Sequence, residues 1–329
     1  MIGYMAREIC IDLGTSNTVI SEKNKGIILC EPTIVALEKA TGKVLTAGAE
    51  AGELLGKTPS EISVVCPVKS GVVADFDALV SMLKVFFERI FPKGSLRPRV
   101  CVCLPSGITQ VEKSTVLEAI SRAGGKCSYT IDAPVATAMG AGLDVAAPSG
   151  NMILDIGGGK MCTSVISFGG IITSHNLPIG GDKIDEYIVK YISKNFGVKI
   201  GKKTSEAIKL SIGSASSFDP DAEIYVTGRN EKSGLPQEIT VTRAQVRDAI
   251  SPFLQKITEL IQNVLFDTPA ELSEDLRKSG IYLCGGTSQL SGLSEFIKET
   301  TNFSTSLCDS PITCTATGAQ MLLDSGGAQ

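Results

Sequence analysis

Ile11-Asp12-Leu13-Gly14-Thr15-Ser16-Asn17-Thr18 and Leu154-Asp155-Ile156-Gly157-Gly158-Gly159-Lys160 carry one pattern twice, about 140 residues apart. Each follows a β-rich run, Glu8-Ile9-Cys10-Ile11 in the first case and Met152-Ile153-Leu154 in the second. Each places an Asp at the strand end, turns through Gly and small residues, and re-enters β-prone sequence at Val19-Ile20 or Val165-Ile166. Glycine turns expose backbone N–H groups that can wrap phosphate oxygens, and an Asp beside such a turn can hold a hydrated magnesium ion. A single turn of this kind reads as an ordinary hairpin. The duplication in matched context reads as two facing halves of a nucleotide clamp.

Around these turns, 329 residues with 43 % hydrophobic content can bury a sizeable core and suggest two domains. Charged residues make up 20 % of the chain and the formal net charge is −4, without a Lys/Arg stripe, which excludes a nucleic-acid partner. The ten cysteines include no CxxC pair and no metal-spaced Cys/His cluster. They read as small hydrophobes in a reducing cytoplasm, Cys101 and Cys103 sharing one strand face, rather than as a disulfide framework. No 18-residue apolar run and no signal-peptide pattern is present, so the expected protein neither spans a membrane nor is secreted.

Outward from the first turn, strands are expected at Gly26 to Cys30, Thr33 to Leu37 and Lys43 to Thr46, the last two separated by Thr41-Gly42. Asp77 to Phe91 reads as a helix with Leu79, Leu83, Phe86, Phe87 and Ile90 on one stripe. The strand Arg99 to Leu104 stops at Pro105, a capping box at Thr109 to Glu112 opens a helix ending at Gly124-Gly125, and Ser128 to Ile131 is a further strand. Strand, capped helix, strand argues for a crossover in a parallel or mixed sheet.

The second half repeats the style, with strands at Met152 to Asp155, Thr163 to Phe168 and Ile171 to His175, then a helix from Asp182 to the Gly197 stop. Asp219 to Ile239 reads as a peripheral hairpin, and a capping box at Thr242 to Gln245 starts a long helix that Pro252 should bend or restart. The strand Gly280 to Cys284 runs into Gly285-Gly286-Thr287-Ser288, a third candidate nucleotide contact. A P-loop reading of Gly159-Lys160 fails because Leu154 stands where its first Gly should be and Met161 replaces the Ser/Thr. No G-x-G-x-x-G follows the first strand, which argues against a dinucleotide site.

Together with Asp132-Ala133-Pro134-Val135-Ala136-Thr137-Ala138, Gly180-Gly181-Asp182 and Ala316-Thr317-Gly318-Ala319, these turns resemble the actin, sugar-kinase and heat-shock-chaperone ATPase superfamily. Cys66 to Asp75, Pro148 to Met152 and Ser205 to Gly213 resemble more closely its bacterial actin branch, the rod-shape-determining MreB family. The resemblance runs from about Arg7 to Leu323. It implies an α/β, actin-like ATPase fold of two lobes, each with a mixed sheet flanked by helices and a smaller appended subdomain. Lobe I would span 1–147 with its subdomain at about 35–68. Lobe II would span 148–329 with its subdomain at about 184–249, and a C-terminal helix at about 316–329 would pack back on lobe I.

The resemblance also implies ATP or ADP with Mg2+ in the cleft, self-association into filaments at the inner face of the cell membrane, and cell-wall elongation proteins as partners. By position, Thr15, Ser16 and Asn17 would meet the phosphates from one lobe and Gly158, Gly159 and Lys160 from the other. Asp12 and Asp155 would face the metal through water. Glu206-Ala207-Ile208-Lys209 would meet the ribose and base, with Gly285, Gly286, Thr287 and Ser288 closing the adenine side. Without the resemblance Glu206 and Lys209, one helical turn apart, read first as a solvated helix pair.

Departures from the family pattern bear on hydrolysis. Ala133 stands where the family carries an acidic residue thought to prepare the attacking water, leaving Asp132 as the remaining carboxylate. Lys160, Met161 and Cys162 replace the usual Thr-Thr-Glu. Backbone amides bind phosphate regardless of these changes, so binding is expected to outlast hydrolysis. For membrane contact the chain offers Ile90-Phe91-Pro92-Lys93-Gly94-Ser95-Leu96-Arg97 and the short Met1 to Met5, though Ile90 and Phe91 read also as the end of a core-facing helix. His175, the one histidine, has no partner motif. A chaperone-type ATPase would need a substrate-binding domain after the nucleotide domain, and a small-molecule kinase of the superfamily a base aimed at a substrate hydroxyl.

Overall fold

A computed structural model describes residues 6–92 and 94–326. The chain opens with the antiparallel meander β1 (Glu8–Leu13), β2 (Asn17–Glu22) and β3 (Gly26–Pro32). Next come β4 (Val35–Glu38), β5 (Val44–Ala47), helix α1 (Ala49–Glu53) and β6 (Ile62–Val65), the three strands forming a small sheet in the order β5-β4-β6. A two-stranded hairpin, β7 (Val68–Lys69) and β8 (Val72–Val73), leads to α2 (Phe76–Ile90). The Asp75 side chain caps α2 by accepting from the Ala78 amide, and Leu79, Met82, Leu83 and Phe86 are fully buried along its inner stripe. Phe91 is also buried, beneath the Arg7 guanidinium 4.5 Å from its ring centre.

Strand β9 (Arg99–Leu104), helix α3 (Gln110–Arg122), strand β10 (Lys126–Asp132) and helix α4 (Ala133–Gly140) complete the first lobe. Both hydrogen bonds of the α3 capping box form: the Glu112 amide donates to Thr109 Oγ1 and the Thr109 amide to the Glu112 carboxylate. β9 joins β1 and β10 joins β9, each in parallel, giving the sheet order β3-β2-β1-β9-β10.

The second lobe repeats the plan. β11 (Asn151–Ile156), β12 (Met161–Ser167) and β13 (Gly170–Leu177) form the antiparallel meander, followed by α5 (Gly181–Phe196), β14 (Val198–Lys199) and α6 (Lys202–Ile212). The hairpin of β15 (Glu223–Asn230) and β16 (Pro236–Thr242) pairs with β14 in a separate small sheet. Then come α7 (Arg243–Asp267), α8 (Ala270–Ser279), β17 (Ile281–Cys284), α9 (Leu293–Thr301), β18 (Thr305–Leu307) and α10 (Cys314–Asp324). β17 joins β11 and β18 joins β17 in parallel, so the main sheet runs β13-β12-β11-β17-β18, strand for strand the order of the first.

Of the two outcomes expected at Pro252, a bend or a restart, the restart does not occur: α7 runs through it as a single helix. Proline removes the N–H that the Asp248 carbonyl would accept, and the Ser251 hydroxyl donates to that carbonyl at 3.0 Å instead. The last helix, α10, crosses to the first lobe. Its Ala316 carbonyl accepts from Ser21 Oγ at 3.1 Å, and Leu323 joins Cys10, Cys101 and Cys103 in one buried cluster. No helix among the described residues is long and apolar enough to cross a membrane. Met1 to Met5 and Lys93 lie outside the described residues, as does the end of the expected C-terminal helix beyond 326.

Candidate functional site

The two glycine turns meet. In the β1–β2 turn the Gly14 amide donates to the Asn17 carbonyl at 3.0 Å, and in the β11–β12 turn Gly157 donates to Lys160 in the same way at 3.0 Å. A Cβ on Gly158 would overlap the Ser16 hydroxyl, and one on Gly159 would come 2.7 Å from Thr15 Cβ. No residue larger than glycine fits where one lobe's turn touches the other's. The Gly157 and Gly158 carbonyls are taken by the start of α5, from Gly181 N at 3.0 Å and Asp182 N at 2.8 Å, which fixes the turn against that helix.

The β7–β8 hairpin is a further member that the sequence did not assign to the site. The Gly71 amide donates to Thr15 Oγ1 at 3.0 Å, and Gly71 sits at φ +81°, where a Cβ would be 2.7 Å from Lys160 Cδ. The Lys160 side chain therefore lies along Gly71. The third turn docks beside them: the Thr287 hydroxyl donates to the Gly157 carbonyl at 3.0 Å, and Gly285, at φ +82°, passes so close to Ile156 that a Cβ would be 2.6 Å from its carbonyl carbon. Gly286 follows in the same turn, and Ser288 is buried with its hydroxyl donating to the Gly285 carbonyl at 2.6 Å.

Asp12 and Asp155 end corresponding strands of the two lobes. Burial, then the neighbouring negative charge of Asp155, push the Asp12 carboxyl up to about 7, while Lys160 pulls it back. Burial likewise raises Asp155, against the same pull from Lys160. Both carboxylates keep partial solvent exposure, and a group raised in this way ionises more readily beside a cation. Hard oxygen donors at the edge of phosphate-type glycine turns are the donor chemistry of Mg2+ with its waters.

The two departures share one place. Ala133 and Lys160 both line a cavity of about 10 Å³, with Pro105, Ser106, Asp155 and Cys162 among the other walls, close to the least space that holds one water. Asp132 is exposed at the start of α4 and does not line this cavity. A far larger groove, about 610 Å³, lies between α2 and α3 and includes none of the glycine turns.

On α6, Glu206 and Ala207 are exposed, whereas Ile208 is wholly buried in the second lobe's core and offers a ligand no side-chain surface. Lys209 turns inward. Its ammonium donates to the Gly181 carbonyl at 3.2 Å and lies 2.9 Å from Asp185 Oδ1. Asp185, missed in the sequence, is 3 % exposed, and its Oδ1 lacks a well-aligned hydrogen-bond donor although the ammonium is near. Burial pushes its carboxyl up to about 6 against the pull of Lys209. The signal was the spacing of Asp182 and Asp185 after Gly180-Gly181, which puts the second Asp on the inner face of α5.

A family model described as MreB/Mbl protein matches residues 6–328. The chain belongs to the MreB/Mbl family. It is 40 % identical over 320 residues to the cell shape-determining protein Mbl of Bacillus subtilis (strain 168), covering 97 % of this chain and 96 % of that one. It is 38 % identical over 328 residues to the cell shape-determining protein MreB of Escherichia coli (strain K12), covering 98 % and 94 %. The crystal structure of MreB5 of Spiroplasma citri bound to AMPPNP superposes with a TM-score of 0.93 at 29 % identity, covering 98 % and 97 %. The MamK double helical filament superposes with a TM-score of 0.81 at 19 % identity, covering 97 % and 99 %, a likeness of fold. This MreB/Mbl family member therefore has the two-lobed actin-like ATPase fold, and its family is that of cytoskeletal, filament-forming proteins.

Proposed function

We propose that this protein binds ATP with Mg2+ between its lobes and polymerises into filaments at the inner membrane surface, where it helps determine cell shape by organising cell-wall synthesis. The observation that carries this is the meeting of the Gly158-Gly159 turn with Thr15-Ser16, with Asp12 and Asp155 in the strands that lead into the two turns. Backbone amides of the two turns and the Thr15, Ser16 and Asn17 groups would hold the phosphates, Lys160 would neutralise the terminal one, and Asp12 and Asp155 would hold the hydrated metal. Mg2+, when bound, supplies the positive charge that lets polyphosphate and carboxylates share one cleft. Gly285 to Ser288 would close the adenine side, and Glu206 and Lys209 the ribose side. Lobe I is 1–147 and lobe II 148–329, with subdomains at about 35–68 and 184–249. Hydrolysis is weak, because a methyl group at Ala133 and an ammonium at Lys160 stand where water would be prepared. The relatives named for cell shape support the cellular role.

A ligand that bridges the lobes favours the closed state only by its differential affinity for it, and that closed state presents the surfaces for subunit contact. Sedimentation with and without ATP and Mg2+, in solution and on anionic lipid vesicles, followed by electron microscopy of the pellet, tests this. Filaments that need nucleotide are the expected result. A protein that binds ATP with Mg2+ yet stays monomeric at high concentration in both settings refutes it.

A further inference from the structure

Cys284, Cys308 and Cys314 are separated by 24 and then 6 positions, a spacing with no metal-motif signature, yet their sulfurs lie within 4.8 Å of one another. Each comes from a different place: Cys284 ends β17, Cys308 follows β18, and Cys314 opens α10. Their exposures are 0 %, 8 % and 1 %. The Cys284 and Cys314 sulfurs are 3.8 Å apart. Metal–sulfur bonds of about 2.3 Å place the sulfurs of one ion about 3.8 Å apart in tetrahedral and about 4.0 Å in trigonal geometry. The Cys284–Cys314 pair thus stands at the spacing of ligands around one ion, with the Cys308 sulfur within 4.8 Å of both.

We infer that Cys284, Cys308 and Cys314 form a three-thiolate site for one soft, thiophilic cation of the Zn2+ or Cu+ class. Sulfur donors select such ions over the hard Mg2+ that suits the Asp12–Asp155 pair. Loading replaces three S–H bonds by three S–metal bonds and releases three protons to solvent, with no electron transferred. Three thiolates around a divalent ion leave one net negative charge, around Cu+ two. Cys314, the first residue of an 11-residue helix, puts its sulfur at the positive end of α10, which offsets part of that charge. Deprotonation strands no acceptor: the Thr137 carbonyl, 3.1 Å from the Cys314 sulfur, also accepts from the Ala141 amide at 2.9 Å. No fourth Cys, His, Asp or Glu among the described residues joins the cluster. Cu+ would be held by three sulfurs, whereas Zn2+ would need a fourth ligand from outside the cysteine cluster. Such an ion would tie the strand that enters the Gly285 turn to the helix that packs on the first lobe.

The test is competition titration of the reduced, metal-stripped full chain, with Zn2+ against a chromophoric zinc chelator and separately with Cu+ against a Cu+-selective one. Wild type is compared with Cys308→Ala, Cys314→Ala and Cys30→Ala, the last removing an exposed thiol outside the cluster. One tight equivalent is expected in wild type and Cys30→Ala, weakened at least about 100-fold in the cluster variants, where loss of a charged ligand costs several kcal/mol. X-ray absorption of loaded wild type, which needs no variant to fold, should show three sulfur neighbours at about 2.3 Å. No tight equivalent of either ion, nitrogen and oxygen neighbours only, or binding removed by Cys30→Ala and kept by Cys308→Ala would overturn the assignment.

Discussion

Gly158 of the second lobe lies against Ser16 of the first so closely that a single added Cβ would collide with the serine hydroxyl. The closed cleft therefore depends on the absence of one methyl group. Gly159 repeats the relationship with Thr15.

Gly158→Val should prop the lobes apart at this point and leave each core intact, since the clash is between turns. Overpacking typically costs about 1–3 kcal/mol, which corresponds to roughly 5- to 150-fold weaker ATP binding at 1.4 kcal/mol per decade. Titration with a fluorescent ATP analogue and Mg2+, beside circular dichroism, checks it. Wild-type affinity in a folded variant would show that the turns do not close on the nucleotide.

Ala133→Glu combined with Lys160→Thr should speed phosphate release, because both positions line the cavity with room for about one water. A positioned acid or base contributes about 10²- to 10⁴-fold. Asp132 is exposed and off the cavity wall, so the expected outcome is that Asp132→Asn leaves the wild-type rate unchanged. A double variant no faster than wild type, with normal ATP binding, would contradict the assignment.

Asp185 gives a pH dependence of stability whose sign is set by burial. Its folded pKa of about 6 lies above the ordinary 3.8, so the folded state holds its proton more tightly than the unfolded one. The resulting stabilisation is complete below about 4 and is lost as pH rises through about 6. Wild type should gain stability relative to Asp185→Asn between pH 7 and pH 4, on the order of 1–3 kcal/mol. Parallel denaturant melts across that range would show identical pH profiles if Asp185 were not desolvated.

Gly318→Ala should loosen α10 from α4. A Cβ there would overlap the Ala136 carbonyl and come 2.6 Å from the Gly140 amide, and backbone cannot yield as a flexible side chain can. A loss of about 1–3 kcal/mol follows from overpacking, read as a lower melting temperature. An unchanged melt would mean that α10 accommodates the methyl group by shifting.

Much of this protein was legible from the chain alone, for local reasons. The capping boxes at Thr109 and Thr242 formed because their partners are three residues away. The helix stripe of α2 and the strands around both glycine turns follow from periodicity and turn chemistry, which act over a few residues. Sequence also supplied the duplication, and its family resemblance the two-lobed plan. Tertiary structure decided what depends on contacts between distant segments. It buried Ile208 while leaving Ala207 exposed, turned Lys209 onto Asp185, laid Gly71 along Lys160, and covered Phe91 with Arg7. It also gathered Cys284, Cys308 and Cys314 from three elements. Side-chain chemistry sets what each residue can do, whereas desolvation and proximity set which of those capacities is used, and both arise only when the sheets and α10 pack together.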